Sequence, residues 1–145
     1  MATLNSGVFP VYENAFKIGK ESNMNTIADL ESCSVSFDNG IENWNPFDTE
    51  GWQRGLMTSK AVTISISGKR NIGDTGNDFV AGLAFKSGHD SEADFEWTFP
   101  DGTKILFEDA IISVTNIGTG DSTGVGSLEF EVQANGKPTI TLPTA

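Results

Sequence analysis

Two runs decide the fold: Ser32-Cys33-Ser34-Val35-Ser36-Phe37 and Ala61-Val62-Thr63-Ile64-Ser65-Ile66-Ser67. Cys33, Val35 and Phe37 alternate with Ser32, Ser34 and Ser36, and Val62, Ile64 and Ile66 alternate with Thr63, Ser65 and Ser67. A period of two, apolar on one face and hydroxyl on the other, predicts half-buried strands over Ile27–Phe37 and Ala61–Gly68. Asp38-Asn39-Gly40 closes the first with a turn signal. The connection between them, DNGIENWNPFDTEGWQRGLMTSK at 38–60, is far longer than a tight hairpin loop. Its length predicts a task outside its own domain.

Working outward, 1–7 reads as a small, polar, mobile N-terminus, and 15–18 as a short strand. Residues 78–87 form the one helical candidate, with Phe79/Leu83 and Val80/Ala84 at i, i+4, Asp78 near its start and Gly88 as its stop. Ala93, Phe95, Trp97 and Phe99 alternate with acidic neighbours, Pro100-Asp101-Gly102 turns the chain, and 103–108 returns as the hairpin partner. Residues 110–117 make a further strand, GTGDSTGVG a flexible loop, 128–133 another alternating strand, and 139–142 a last short one. Seven or eight strands with one short flanking helix predict a mainly β fold, a β-sandwich or small barrel, as a single domain over 1–145.

The chain carries 20 acidic against 9 basic residues, for a net charge of −11. The acids are spread through both halves, and binding nucleic acid by neutralising phosphates requires a basic stripe instead. An acidic protein can still enclose nucleic acid without adhering to it. The single cysteine, Cys33, falls on an apolar strand face and reads as a small buried hydrophobe. With no leader pattern, no membrane-length apolar window and no glycosylation sequon, the sequence predicts a cytoplasmic protein.

Motifs that suggest catalysis fail on context. Gly120-Asp121-Ser122-Thr123-Gly124 matches the hydrolase nucleophile elbow, but a strand rather than a helix follows, and the only histidine, His89, precedes it. The same glycines lack the Gly-Lys-Ser/Thr of a phosphate loop. A calcium-loop register starting at Asp74 puts Phe85 where a bidentate Glu belongs. Glu108 and Asp109 point to opposite faces of an extended segment. No catalytic residue, metal site or cofactor is predicted.

The aromatic residues of the long connection remain. Trp44, Phe47 and Trp52 lie where a loop is normally polar, which marks a contact surface unless the loop buries them locally. Two uses compete: stacking on sugar rings in a carbohydrate-binding module built on Trp44 and Trp52, or anchoring to a neighbouring copy of the protein.

WNPFDTEGWQRGLMTSKAVTISISGKR, with FEWTFPDGT downstream and ANGKPT near the end, resembles the major tail tube proteins of long-tailed bacteriophages of Gram-positive bacteria, and those of related phage-tail-like bacteriocins. The resemblance spans roughly 8–143. It implies a β-sandwich with a flanking helix, assembled as hexameric rings stacked into a hollow tube whose lumen lets DNA slide through. Asp38 to Lys60 then becomes an inter-subunit assembly loop, with Ile41, Trp44, Pro46, Phe47, Trp52 and Arg54 as its contact residues. Ser32, Ser34, Ser36, Thr63, Ser65 and Ser67 become candidate lumen-facing residues, with the helix outside. The implied partners are further copies of the chain and tape-measure, distal tail and tail-terminator proteins, with DNA only in transit and no membrane. The implied location is a virion tail or phage-like particle assembled in the host cytoplasm.

Overall fold

Alternating apolar residues give the strands one shared inner face, and the computed structural model, which describes residues 7–21 and 23–143, joins them in one antiparallel sheet. In chain order the strands are β1 (Ala15–Lys20), β2 (Asn23–Thr26), β3 (Leu30–Trp44), β4 (Arg54–Lys69), β5 (Glu92–Thr98), β6 (Lys104–Ile117), β7 (Ser127–Gln133) and β8 (Thr139–Thr141), with helix α1 (Thr75–Gly82) between β4 and β5. They lie in the order β2-β1-β5-β6-β7-β4-β3. β8 sits beside the N-terminal part of β6, pairing Leu106 with Thr139. β2 and β3 close the two ends of the sheet, and among the described residues β3 is hydrogen-bonded along one side only, to β4.

The core forms where the apolar faces meet α1. Ile18, Ile64, Phe95, Leu128, Phe130 and Val132 are fully buried, and α1 adds Val80 with Leu83 just beyond it. Phe95 is central: its ring lies 5.8 Å from Phe16, 6.3 Å from Phe107 and 6.5 Å edge-on from Phe130. Burying one such ring stabilises the fold by about 2–3 kcal/mol, and each aromatic pair adds up to about 1 kcal/mol.

The helix sits earlier than its expected span of 78–87. The Asp74 carboxylate accepts the Asn77 amide at 3.0 Å and starts the helix at Thr75. Beyond Gly82 the chain continues in tight i to i−3 turns, Leu83 to Val80 and Lys86 to Leu83. Phe85 finds no core to pull it into a further helical turn and stays exposed. The i, i+4 pairing did identify the buried side, Val80 and Leu83.

Strand limits also shift for local reasons. β3 begins at Leu30 rather than Ile27, because Asp29 takes a left-handed backbone (φ 62°) and the Ala28 amide is bonded to Asp74. The strands expected at 103–108 and 110–117 are one strand, β6. Asp109, at φ 51°, bulges while its amide donates to the Asp94 carboxylate at 3.0 Å. β1 extends to Lys20, and β2, a polar Asn-Met-Asn-Thr run, was not expected. The Pro100-Asp101-Gly102 turn is present, with Gly102 at φ 99° and its amide bonded to Phe99. The expectation for 1–7 falls, apart from Gly7, outside the described residues.

The largest correction concerns 38–60. Most of it is not loop: β3 and β4 run on past the core as a two-stranded ribbon, paired from Asp38 opposite Ala61 to Trp44 opposite Arg54. β7 leaves β4 at Thr63, so the ribbon has no third strand. Only the segment between Trp44 and Arg54 forms a true turn.

Candidate assembly surface: the arm and the hydroxyl face

The ribbon is an arm built to project. A bulge between Gly40 and Ile41 resets its register, and Gly40 packs so closely on Ser59 that a Cβ there would lie 2.0 Å from the Ser59 hydroxyl. Beyond the bulge Ile41 faces Met57, Glu42 faces Leu56, and Trp44 faces Arg54. The Arg54 guanidinium lies 6.0 Å from the Trp44 ring centre, a cation–π contact that holds the ring at the end of the ladder.

The tip is ordered by its own hydrogen bonds. Pro46 leads into a short 3-10 turn at Phe47–Thr49, and the Thr49 hydroxyl donates to the Trp52 carbonyl at 2.8 Å, with the Pro46 carbonyl at 3.2 Å as an alternative acceptor. The Asn45 side chain donates to the Gly51 carbonyl at 3.1 Å. Glu50 and Gly51 reverse the chain with positive φ. This turn presents Phe47 fully to solvent, at 106% relative exposure, and Trp52 at 77%. Ile41, Trp44, Leu56 and Met57 are also exposed along the arm. By strand alternation Ile41 and Met57 lie on one face of the ribbon and Trp44 and Leu56 on the other, so large apolar side chains stand exposed on both faces, the pattern that marks candidate contact surfaces. Leu56 and Met57 were missed from sequence. Their signal was two bulky apolar residues directly after Gly55 in a segment read as polar loop.

The predicted hydroxyl residues come together on the sheet face opposite the core. Ser34 pairs with Ser65, Ser36 with Thr63, and Ser32 with Ser67. β7 continues that face with acids, Glu131 beside Ser65 and Glu129 beside Ser67. β6 adds Ser113, opposite Glu131, and Asn116, whose amide donates to the Glu129 carboxylate at 3.0 Å. The face is therefore a patch of hydroxyls and carboxylates that reaches beyond the six predicted positions.

A buried polar site missed from sequence positions α1. Asn77 is 0% exposed and saturated: its carbonyl oxygen accepts from the Asn71 amide (3.0 Å) and Arg70 Nη1 (2.9 Å), and its Nδ2 donates to the Ala28 and Lys69 carbonyls (3.2 and 3.0 Å). Arg70 also bonds the Asp78 carboxylate at 2.8 Å and holds it below the usual carboxylate range. At the hairpin turn, the Thr103 amide lowers the Asp101 carboxyl in the same way. Burial pushes the Cys33 thiol up, away from reactivity.

The rejected catalytic motifs occupy unremarkable places. Asp121 to Gly124 closes a turn with a 2.9 Å backbone bond, and β7 follows it. His89 is almost fully exposed and lies 3.2 Å from Glu92. Among the described residues no three His, Cys, Asp or Glu side chains are grouped to hold a metal.

No family model and no curated protein matches the chain. Solved structures do match. A chain from the tail of an empty gene transfer agent particle, computed with helical refinement in C6 symmetry, aligns with a TM-score of 0.73 at 18% identity, covering 92% of this chain and 99% of that one. The fold is shared with proteins of tail particles. A chain of the tube-terminating cap of the anti-feeding prophage aligns at 0.65 and 14% identity over 98% and 96% of the two chains. One from the sheath-tube complex of an extracellular contractile injection system aligns at 0.60 and 16% identity over 95% and 94%. In all three the alignment takes in nearly the whole of both chains, so the mainly β architecture is shared throughout.

Proposed function

We propose that this protein is the structural subunit of a phage or phage-like tail tube, assembling into hexameric rings that stack around a hollow conduit for DNA. The observation that carries the reading is the arm. On a chain with the fold of tail-particle proteins, an ordered ribbon projects beyond the core and displays Phe47, Trp52, Ile41, Leu56 and Met57 to solvent. Such a surface is explained by a neighbouring copy, with Ile41, Trp44, Pro46, Phe47, Trp52 and Arg54 at the contact.

The hydroxyl face, Ser32, Ser34, Ser36, Thr63, Ser65 and Ser67 with Glu129 and Glu131, is assigned to the lumen. Carboxylates there repel phosphates, and hydroxyls alone bind them too weakly to retain a moving duplex. The chain performs no catalysis in this role. Its partners are further copies, a tape-measure protein, and distal tail and terminator proteins, in a virion tail or tail-like particle assembled in the host cytoplasm. Long-tailed phages of Gram-positive bacteria and tail-like bacteriocins are the two settings in view. Sugar binding by Trp44 and Trp52 fits less well, because the Arg54 guanidinium occupies one face of Trp44.

Negative-stain microscopy of concentrated protein, alone and with a tail initiator, tests the proposal. Six-fold rings and tubes are expected, and a protein that stays monomeric under both conditions overturns it. Deleting 41–52 should leave a folded monomer that forms no tubes; loss of folding instead would make the arm part of the core.

A further inference from the structure

Where the arm leaves the core, the described residues form an open groove of about 550 Å³, within the range of ligand-binding clefts. Phe37, Val62, Ala134 and Ile140 give it an apolar lining, and the exposed Lys60 and Lys137 stand beside it. Lys60 lies 5.6 Å from the Phe37 ring centre and donates to the Asn39 side chain at 3.0 Å. Neither lysine is in an ion pair among the described residues, although the chain carries 20 acids. The arm tip is the complementary object: Phe47-Asp48-Thr49-Glu50-Gly51-Trp52 presents two exposed aromatic rings and two exposed carboxylates, also outside any ion pair among the described residues.

We infer that this groove at the arm's base receives the arm tip of a second copy, with Phe47 and Trp52 on its apolar lining and Asp48 and Glu50 against Lys60 and Lys137. The tip cannot turn back into its own groove. The paired ribbon carries the chain away from it over the seven strand steps from Phe37 to Trp44, roughly 23 Å at strand rise. Tip and groove lie at opposite ends of the same ribbon, so the contact is head to tail. It joins different surfaces on the two copies, so successive copies can continue head to tail, as a closed ring or as a stack. The inference rests on the tail-tube reading and names the surface that accepts the arm.

Two experiments on the full chain test it. In a Cys33→Ser background, Glu50→Cys with Lys137→Cys in one chain should, after assembly and mild oxidation, give a ladder of cross-linked multimers on a non-reducing gel. Separately, Lys60→Glu with Lys137→Glu should raise the concentration needed for assembly at least roughly tenfold, because like charges then meet across the interface. Adding Asp48→Lys and Glu50→Lys to that chain should restore assembly. Circular dichroism confirms folding, and the cysteine pair gives an answer even if the charge-reversed chain misfolds. Tubes of the cysteine variant with no cross-link would overturn the groove assignment and leave the tube role standing, whereas a cross-link that stops at dimers would overturn the head-to-tail arrangement. Charge-reversed protein that folds and assembles like wild type would also overturn the groove assignment. A wild-type protein that never self-associates would overturn both.

Discussion

Replacing Phe47 and Trp52 together by alanine tests the proposed assembly role apart from folding, because both rings are largely exposed and so contribute little to the fold. Phe47 is fully exposed and Trp52 is 77% exposed. An aromatic side chain offers up to about 250 Å², so Trp52 buries roughly 60 Å² within its own chain, worth about 1.5 kcal/mol at 25 cal/mol per Å². Phe47 contributes nothing on that measure. In a docked arm the remaining surface of the two rings, about 400 Å², becomes available for burial, worth up to about 10 kcal/mol. Half of that, allowing for incomplete burial, is about 5 kcal/mol, or more than a thousandfold in the concentration needed to assemble. Urea unfolding of the double variant should show a stability within about 2 kcal/mol of wild type with an unchanged slope. Light scattering and microscopy should find no tubes at concentrations where wild type forms them. Tubes at the wild-type concentration, or a variant that fails to fold, would refute the assignment.

Three further outcomes concern the domain itself. Asn77→Leu should lower unfolding free energy by about 3–5 kcal/mol in urea titration, because the Ala28 and Lys69 carbonyls and the Asn71 amide lose their partner in a dry site. Gly76→Ala should destabilise by about 2 kcal/mol or more at a site where alanine is otherwise the better helix former, since its Cβ would lie 2.4 Å from the Thr26 carbonyl oxygen. The Asp78 carboxyl is held below its ordinary 3.8 by Arg70, so its stabilisation is fully present above that pH and is lost as pH falls through the lower folded value. Melting temperatures measured from pH 5 down to pH 2 should fall less steeply for Asp78→Asn than for wild type.

Much of the fold was legible because burial enforces period. Ile64 and Ile66, Phe95, and Leu128, Phe130 and Val132 could alternate only as strands, and all of them reached the core. What escaped was held by interactions with no periodic signature. The arm reads as loop because Asn39, Gly40, Asn43 and Gly55 are poor strand residues, and its pairing rests on cross-strand contacts such as Ile41 opposite Met57. Asp109 disguised one strand as two, because a single left-handed residue breaks the alternation while the backbone ladder resumes beyond it. The helix began early through a carboxylate, Asp74, that looked like loop. Of the arm residues singled out, Ile41, Trp44, Phe47, Trp52 and Arg54 are exposed and Pro46 is half-buried; of the hydroxyl positions, Ser32, Ser34, Ser36 and Ser65 are exposed and Thr63 and Ser67 half-buried. The lysine-flanked groove was invisible, since 37, 62, 134 and 140 meet only through the topology.

The one-sided pairing of β3 leaves the single chain with an open sheet edge. Along the fifteen residues Leu30–Trp44 the outer row of backbone amides and carbonyls has no strand partner among the described residues, and such a row is a template on which chains aggregate without order. Asp38 and Glu42 along it, and the excess of negative charge over the whole molecule, oppose that pairing by repulsion. They keep copies apart while each is alone, and the barrier shrinks as ions screen it over about 8–10 Å at cellular salt. The same open edge therefore sets how concentrated the isolated chain can be kept without disordered association.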